Sequence, residues 1–398
     1  MSHRRAGAAI VAALSLAGLA PAAHADGPGV GTPTVATLGD SYISGEAGRW
    51  AGNSNGSSSS IDALGSTAYY DNASNTAETI SGCHRSKSAE TFIGGGVNGV
   101  NFACSGAKTA SSLGSSWKPG LDFYDDGAGH VGQAKLLQSY AATHNIRQVD
   151  ISIGGNDFNF ASVVQACVQD WLLSPSWWKD YCNDDSSVTS NFTASNVAAQ
   201  RAKIKNAILN VHTAMANAGY SDAQYAITVQ DYESPIPNGS GFRYGESGYT
   251  RQNTGGCGFW NGDANWANTT ALPTINGAVK GAAADTGLSN IRILELQSAF
   301  NGRRLCENTV GLLEEKGLSS WTNAGAVDKT EWVNQIRTVS TVFGPYQVQE
   351  SLHPNYWGQL ALRNCVRQAY NGGVPRGGTC TIAGAGLTSR GEPNMILN

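Results

Sequence analysis

Four short polar blocks each end or open a stretch that reads as regular structure. They are Gly39-Asp40-Ser41, Cys104-Ser105-Gly106, Gly154-Gly155-Asn156-Asp157 and Glu350-Ser351-Leu352-His353-Pro354. A serine hydroxyl is a weak nucleophile until a neighbouring base takes its proton, and histidine is the side chain best suited to that task near neutral pH. Taken singly, each block has a plainer reading. Gly-Asp-Ser is a common turn or helix cap, Gly-Gly-Asn-Asp is a turn that caps the helix after it, and a histidine before proline is usually a surface residue. Their coincidence at element ends, in this order, is what points to a site.

The elements that must carry the blocks follow from hydrophobic pattern. Thr34 to Leu38 is a short β-branched and apolar run broken at Gly39, a buried strand that would deliver Ser41. Val97 to Ala103 and Arg147 to Ile153 read as strands ending at the second and third blocks, and Tyr225 to Val229 and Ile291 to Leu296 as two more. Helical spacing covers Val131 to His144, Phe158 to about Leu173, Ser195 to Asn217 and the second half of Asp231 to Asp285. A last helix is expected to open at His353-Pro354, with proline in its first position, and to run to about Tyr370. Most of Gly45 to Gly96 is Ser/Asn/Gly-rich and reads as a surface excursion, with a helix expected near Cys83 to Phe92.

Strands alternating with helices predict an α/β fold, a three-layer α/β/α sandwich around a mainly parallel five-stranded sheet with long loop insertions. Ligands of such sheets sit beyond the carboxyl ends of the strands, where the first three blocks fall. No internal repeat and no linker interrupts the pattern, so residues 26–398 are expected to form one domain.

Composition narrows the class. Of 398 residues only 14% are charged, 41% are hydrophobic, and 30 acids face 26 bases for a formal charge of −4. No basic field awaits nucleic acid, and disorder and coiled coil are excluded. At the N-terminus, Arg4 and Arg5 precede the uncharged stretch Ala6 to Ala20, and Ala23-His24-Ala25 matches the small-x-small site of signal peptidase. The stretch is shorter than the ~18–20 apolar residues of a spanning helix. Residues 1–25 therefore read as a signal peptide, leaving a chain from Asp26 of charge −6 with no integral membrane segment.

Eight cysteines follow in the exported part: Cys83, Cys104, Cys167, Cys182, Cys257, Cys306, Cys365 and Cys380. An even count in an exported chain reads as four disulfides, for which 105 connectivities exist. Pairing of nearest neighbours in sequence is the working expectation. Without a Cys-x-x-Cys pair or clustered histidines, no metal or other cofactor is expected. Three glycine-rich stretches, starting at Gly52, Gly94 and Gly127, fit nucleophile-elbow or dinucleotide patterns but lack the strand and helix those patterns require.

In their order the four blocks resemble the SGNH hydrolases, also called GDSL esterases and lipases, whose Ser, Gly, Asn and His match Ser41, Gly106, Asn156 and His353. The resemblance spans residues 34 to about 370. Cys83-His84-Arg85-Ser86, Gly302-Arg303-Arg304-Leu305-Cys306-Glu307 and the run His353 to Gln359 look like secreted actinobacterial members. The resemblance implies a flavodoxin-like sheet and a secreted, extracellular ester hydrolase working through an acyl-enzyme. Ser41 would be the nucleophile and His353 its base, with an oxyanion hole from the N–H groups of Ser41 and Gly106 and the Asn156 amide. Many members carry Asp three residues before the histidine. Glu350 stands there in this chain, so either its carboxylate or a main-chain carbonyl would orient His353.

The expected substrate is a small-molecule or lipid ester, with a carbohydrate O-acyl ester as the alternative, and the expected state is a monomer. The aromatic run Trp171, Trp177, Trp178 and Tyr181 reads either as the rim of an acyl site or as packing over a Cys167–Cys182 bridge. Phe259, Trp260 and Trp266 would stack on sugars or fill core. A non-catalytic binding protein on the same scaffold is the reading from a different class.

Overall fold

The computed structural model describes residues 26–337 and 348–398, so the expected signal peptide lies outside the described residues. Seven strands form one sheet: β1 (Pro33–Gly39), β2 (Asn98–Asn101), β3 (Asn145–Ser152), β4 (Ala226–Gln230), β5 (Ile291–Glu295), β6 (Gly378–Leu387) and β7 (Pro393–Leu397). Their order is β2-β1-β3-β4-β5-β6-β7, parallel throughout except for the antiparallel β6–β7 pair.

The expected count of five is thus corrected to seven. The five anticipated strands make the parallel half, and the C-terminal hairpin extends it. Glycine, alanine and threonine dominate β6, which joins β5 only through Leu294–Gly378 and Glu295–Thr379. A half-exposed strand of small residues carries little apolar signal.

Helices cover both faces. On one side α2 (Gln133–Ala141), α4 (Ala194–Asn217) and α5 (Leu272–Asp285) pack on Ala36, Leu38, Val149, Ile151, Ile227 and Val229. On the other, α6 (Tyr356–Tyr370) packs on Val35 and Leu294 together with the β7 residues Met395 and Leu397. Alternate residues of β1 thus enter opposite cores, as the pleat demands. Two more helices bear on the site: the single turn α1 (Ser41–Ser44) and α3 (Phe160–Leu173). Among the described residues no helix is long and apolar enough to cross a membrane.

Two local expectations are corrected. No helix forms over Cys83 to Phe92, and most of that segment is buried rather than superficial. Its polar side chains bond backbone instead: Ser88 Oγ donates to Gly48 O, Thr91 Oγ1 to Val35 O, and Arg85 Nε to Ala103 O. Those carbonyls lie 18, 40 and 56 positions away, so tertiary contacts rather than a local helix hold the segment. The last helix starts at Tyr356, capped by the Asn355 side chain on Trp357 N and Gly358 N, which leaves His353 and Pro354 in the preceding loop.

The disulfides join neighbours in sequence: Cys83–Cys104, Cys167–Cys182, Cys257–Cys306 and Cys365–Cys380. The first ties the buried segment to the second polar block, and the last ties α6 to β6.

Candidate active site

Ser41 is mounted at a joint between two strand ends. Gly39 has φ +141°, and a Cβ there would lie 1.9 Å from Ser152 O, so β1 and β3 close to a distance only glycine tolerates. The buried Gln133 side chain clamps the same residue: its Oε1 accepts from Gly39 N at 2.7 Å, and its Nε2 donates to Gly39 O at 2.9 Å. Asp40 N then donates to Ser152 O at 3.0 Å. The Asp40 carboxylate caps α1 by accepting from Tyr42 N at 3.1 Å, which leaves Ser41 as the first residue of the helix. A backbone N–H at that position has no acceptor within its own helix.

His353 meets Ser41 from the opposite end of the sequence. Its Nε2 lies 2.6 Å from Ser41 Oγ, and its Nδ1 lies 2.9 Å from Ser351 O. A carbonyl can only accept, so Nδ1 carries the proton and Nε2 is left to take one from the serine. Burial pushes the imidazole pKa below its usual value, favouring the neutral form this pairing needs. Leu352, between the two residues, has φ +62°, a conformation costing of order 1–3 kcal/mol for a non-glycine residue. Tyr42 OH donates to Leu352 O at 3.1 Å, and Asn334 N to His353 O at 3.0 Å, holding the loop in that shape.

Glu350 is placed elsewhere. Its buried carboxylate accepts from Trp50 Nε1 at 3.0 Å and from Tyr69 OH at 2.5 Å. Tyr69 in turn stacks on His84, which sits 2.8 Å from the Glu46 carboxylate. The Cys-His-Arg-Ser stretch thus stands behind the loop that carries the histidine.

Gly106 and Asn156 line the same cavity as Ser41 and His353. Gly106 has φ +79°, while a Cβ there would approach only the Lys118 side chain, at 3.6 Å. The positive φ by itself favours glycine here, since the neighbouring protein atoms would leave room for a Cβ. Asn156 is not the cap of α3, a position held by Asn159. Its Nδ2 donates to Ala107 O at 2.9 Å, one of its two N–H bonds. The second and third blocks are locked together where Asp157 accepts from Thr109 Oγ1 at 2.7 Å and Thr109 N at 3.1 Å.

The fourth strand end supplies residues that no motif announced. Tyr232 follows β4, donates to Asp40 Oδ2 at 2.5 Å and accepts from Gly155 N at 2.9 Å. Burial, and then the Asp40 charge, raise the Tyr232 pKa well above the usual phenol value, so it remains a donor. Burial pushes Asp40 up to about 7 and Glu233, on the cavity wall, up to about 8. Among the described residues no group of His, Cys, Asp and Glu could hold a metal ion.

The cavity has a volume of about 770 Å³. Phe160, Val164, Val168 and Leu172 of α3 form one wall and Leu272 and Ile275 of α5 another. Such a size and lining suit a ligand with a substantial apolar part. Trp171, Trp177, Trp178 and Tyr181, read either as an acyl-site rim or as packing over the Cys167–Cys182 bridge, are not among the lining residues. Trp171 and Trp260 are buried with ring centroids 4.2 Å apart, whereas Trp177 and Trp178 stand in solvent.

No protein-family model matches the sequence, and no curated protein is significantly similar to it. Among solved structures it is similar to an extracellular lipase of Streptomyces rimosus, at 19% identity and TM-score 0.44, covering 85% of this chain and 100% of that one. It is also similar to phospholipase A1 of Streptomyces albidoflavus, at 17% identity and TM-score 0.41, covering 85% of this chain and 99% of that one. A carbohydrate acetylesterase of Sinorhizobium meliloti follows at 10% identity and TM-score 0.27, covering 66% and 84%. Likenesses this loose transfer no activity, and the chemistry of the site must come from its own atoms.

Proposed function

We propose that the protein is an exported serine ester hydrolase of the SGNH type, with Ser41 as nucleophile, His353 as base and a lipid ester as substrate. The observation that carries the proposal is the 2.6 Å approach of Ser41 Oγ to a histidine nitrogen whose tautomer the Ser351 carbonyl dictates. Ser41 Oγ attacks the ester carbonyl carbon while His353 Nε2 takes its proton. The N–H groups of Ser41 and Gly106 and the Asn156 amide receive the oxyanion, and each such donor is worth about 10²–10³ in rate. The imidazolium returns the proton to the departing alcohol. Water, deprotonated by His353 Nε2, then attacks the acyl carbon, the bond to Ser41 Oγ breaks, and the imidazolium returns the proton to Ser41 Oγ as the acid leaves.

Orientation of His353 falls to the Ser351 carbonyl, making a Ser–His dyad, while Glu350 supports the loop from behind. The apolar cavity favours a fatty acyl group over acetyl, which ranks a carbohydrate acetyl ester second. Four disulfides suit an oxidising compartment, in keeping with the expected signal peptide. A fluorophosphonate probe tests the chemistry: it should label the wild type and fail on Ser41→Ala. A wild type that stays unlabelled sinks the proposal. A chain-length series of p-nitrophenyl esters beside acetylated sugars then tests the substrate class, and activity confined to acetyl esters overturns the lipid assignment.

A further inference from the structure

The three most exposed large apolar side chains among the described residues fall within one short stretch: Leu173 at 85%, Trp177 at 83% and Trp178 at 74%. Scattered exposed apolar residues need no explanation, but two tryptophans and a leucine concentrated at one place do. The stretch is not a fraying loop. Trp178 N closes a turn on Pro175 O, Ser174 Oγ donates to Asp170 O and accepts from Asp180 N, and the Cys167–Cys182 bridge ties the far end back onto α3. The rings are held out in water by a braced support.

Their position relative to the cavity supplies the second observation. Cavity-lining residues Phe160, Val164, Val168 and Leu172 recur every four positions, so the cavity wall follows one face of α3 along nearly its whole length. At a rise of about 1.5 Å per residue that wall runs roughly 18 Å and ends beside Leu173. The apolar surface that would hold an acyl chain is therefore continued, on the same helix end, by the exposed leucine and tryptophans.

Charge identifies what this surface meets. Asp170, Asp180, Asp184 and Asp185 lie around the turn, close enough that burial and then those neighbours raise the Asp170 pKa to about 6. Lys179, within the turn, is bound to Glu246 at 2.6 Å. Such a rim disfavours an anionic surface, whereas indole rings suit the boundary between hydrocarbon and uncharged or zwitterionic headgroups.

We propose that Leu173, Trp177 and Trp178 form a docking surface for a zwitterionic lipid interface, feeding ester substrate from an aggregate into the α3-walled cavity. The proposal rests on the lipid-ester reading of the site but is measured separately from it. With Ser41→Ala in the full chain, so that no lipid is consumed, the protein should float with phosphatidylcholine vesicles. Adding Trp177→Ser and Trp178→Ser should lower the bound fraction by about tenfold or more, and the corresponding phenylalanine pair should largely retain it. With Ser41 intact, the serine pair should hydrolyse a water-soluble butyrate ester at the wild-type rate yet lose about tenfold on ester presented in vesicles.

The proposal is overturned by absent vesicle binding, by binding indifferent to the serine pair, or by binding that requires phosphatidylserine and vanishes with salt. Failure to hydrolyse the soluble ester would instead remove the hydrolase reading while leaving the vesicle result to stand or fall alone.

Discussion

Tyr232 donates a hydrogen bond to Asp40, the residue beside Ser41, and accepts one from the backbone N–H of Gly155, the residue beside Asn156. One buried phenol therefore sets the spacing between the first and third polar blocks. Tyr232→Phe leaves one oxygen of the buried Asp40 carboxyl and the buried Gly155 N–H without this partner, each costing about 1–3 kcal/mol. Denaturant unfolding should show a loss of about that size, and kcat should fall more than KM rises. A variant with wild-type stability would show that the hydroxyl is dispensable.

The same burial makes stability depend on pH in an unusual direction. Folding raises the carboxyls of Asp40 and Asp150 to about 7 and of Glu233 to about 8. From about pH 4 upward the unfolded chain releases these protons while the folded chain keeps them, so the folded state is penalised as pH rises. The contribution of these groups is greatest below about pH 4, declines until about pH 8 and is then flat. Asp40→Asn should flatten part of that decline in urea midpoints measured across the range. An unchanged slope would contradict the assignment.

For His353 the sign runs the other way. Its lowered pKa keeps the imidazole neutral to lower pH than a free histidine, so the acid limb of kcat/KM should fall below about 6.5. Activity should disappear as pH drops through that limb. A limb above 7 would mean that a carboxylate, not a carbonyl, faces Nδ1.

Glu350 separates dyad from triad. Glu350→Gln should lower Tm, because Trp50 and Tyr69 lose a charged acceptor, yet reduce kcat by less than about tenfold and leave the acid limb in place. A triad carboxylate would instead cost about 10⁴ in kcat.

Chain-length preference should sit where the cavity borders a smaller void. Phe160, Val164, Pro235, Leu272 and Ile275 line both the main cavity and a smaller apolar void of about 50 Å³ beside it. Val164→Phe should reduce kcat/KM for a dodecanoyl ester by about 10–200-fold while sparing a butyryl ester. Equal losses on both would argue that the acyl group lies elsewhere.

Strand ends announced by glycine were readable from sequence because a break in an apolar run is a local event. Ser41, Gly106 and Asn156 were marked that way, His353 was marked by the His-Pro pair expected to open a helix, and all four line one cavity. Tyr232 also follows a strand that was anticipated, but tyrosine after an apolar run carries no mark of its own, and its role depends on two residues far away in sequence. Gln133 was hidden for the same reason: it sits on a helix, and its clamp on Gly39 spans 94 positions. The orienting group of His353 was ambiguous because a backbone carbonyl belongs to every residue alike. The C-terminal hairpin escaped because small residues on a half-exposed strand lack a periodic signature.

The closure at Gly39 has a mechanical consequence. With Ser152 O standing where a side chain would begin, position 39 admits no other residue without moving β3, and β3 cannot move without moving the serine. Ser41, the proposed nucleophile, thus inherits the stiffness of the central sheet. The cavity walls on α3 and α5 have no such joint, so mutagenesis aimed at new acyl groups can explore them broadly while leaving the reactive end of the molecule untouched.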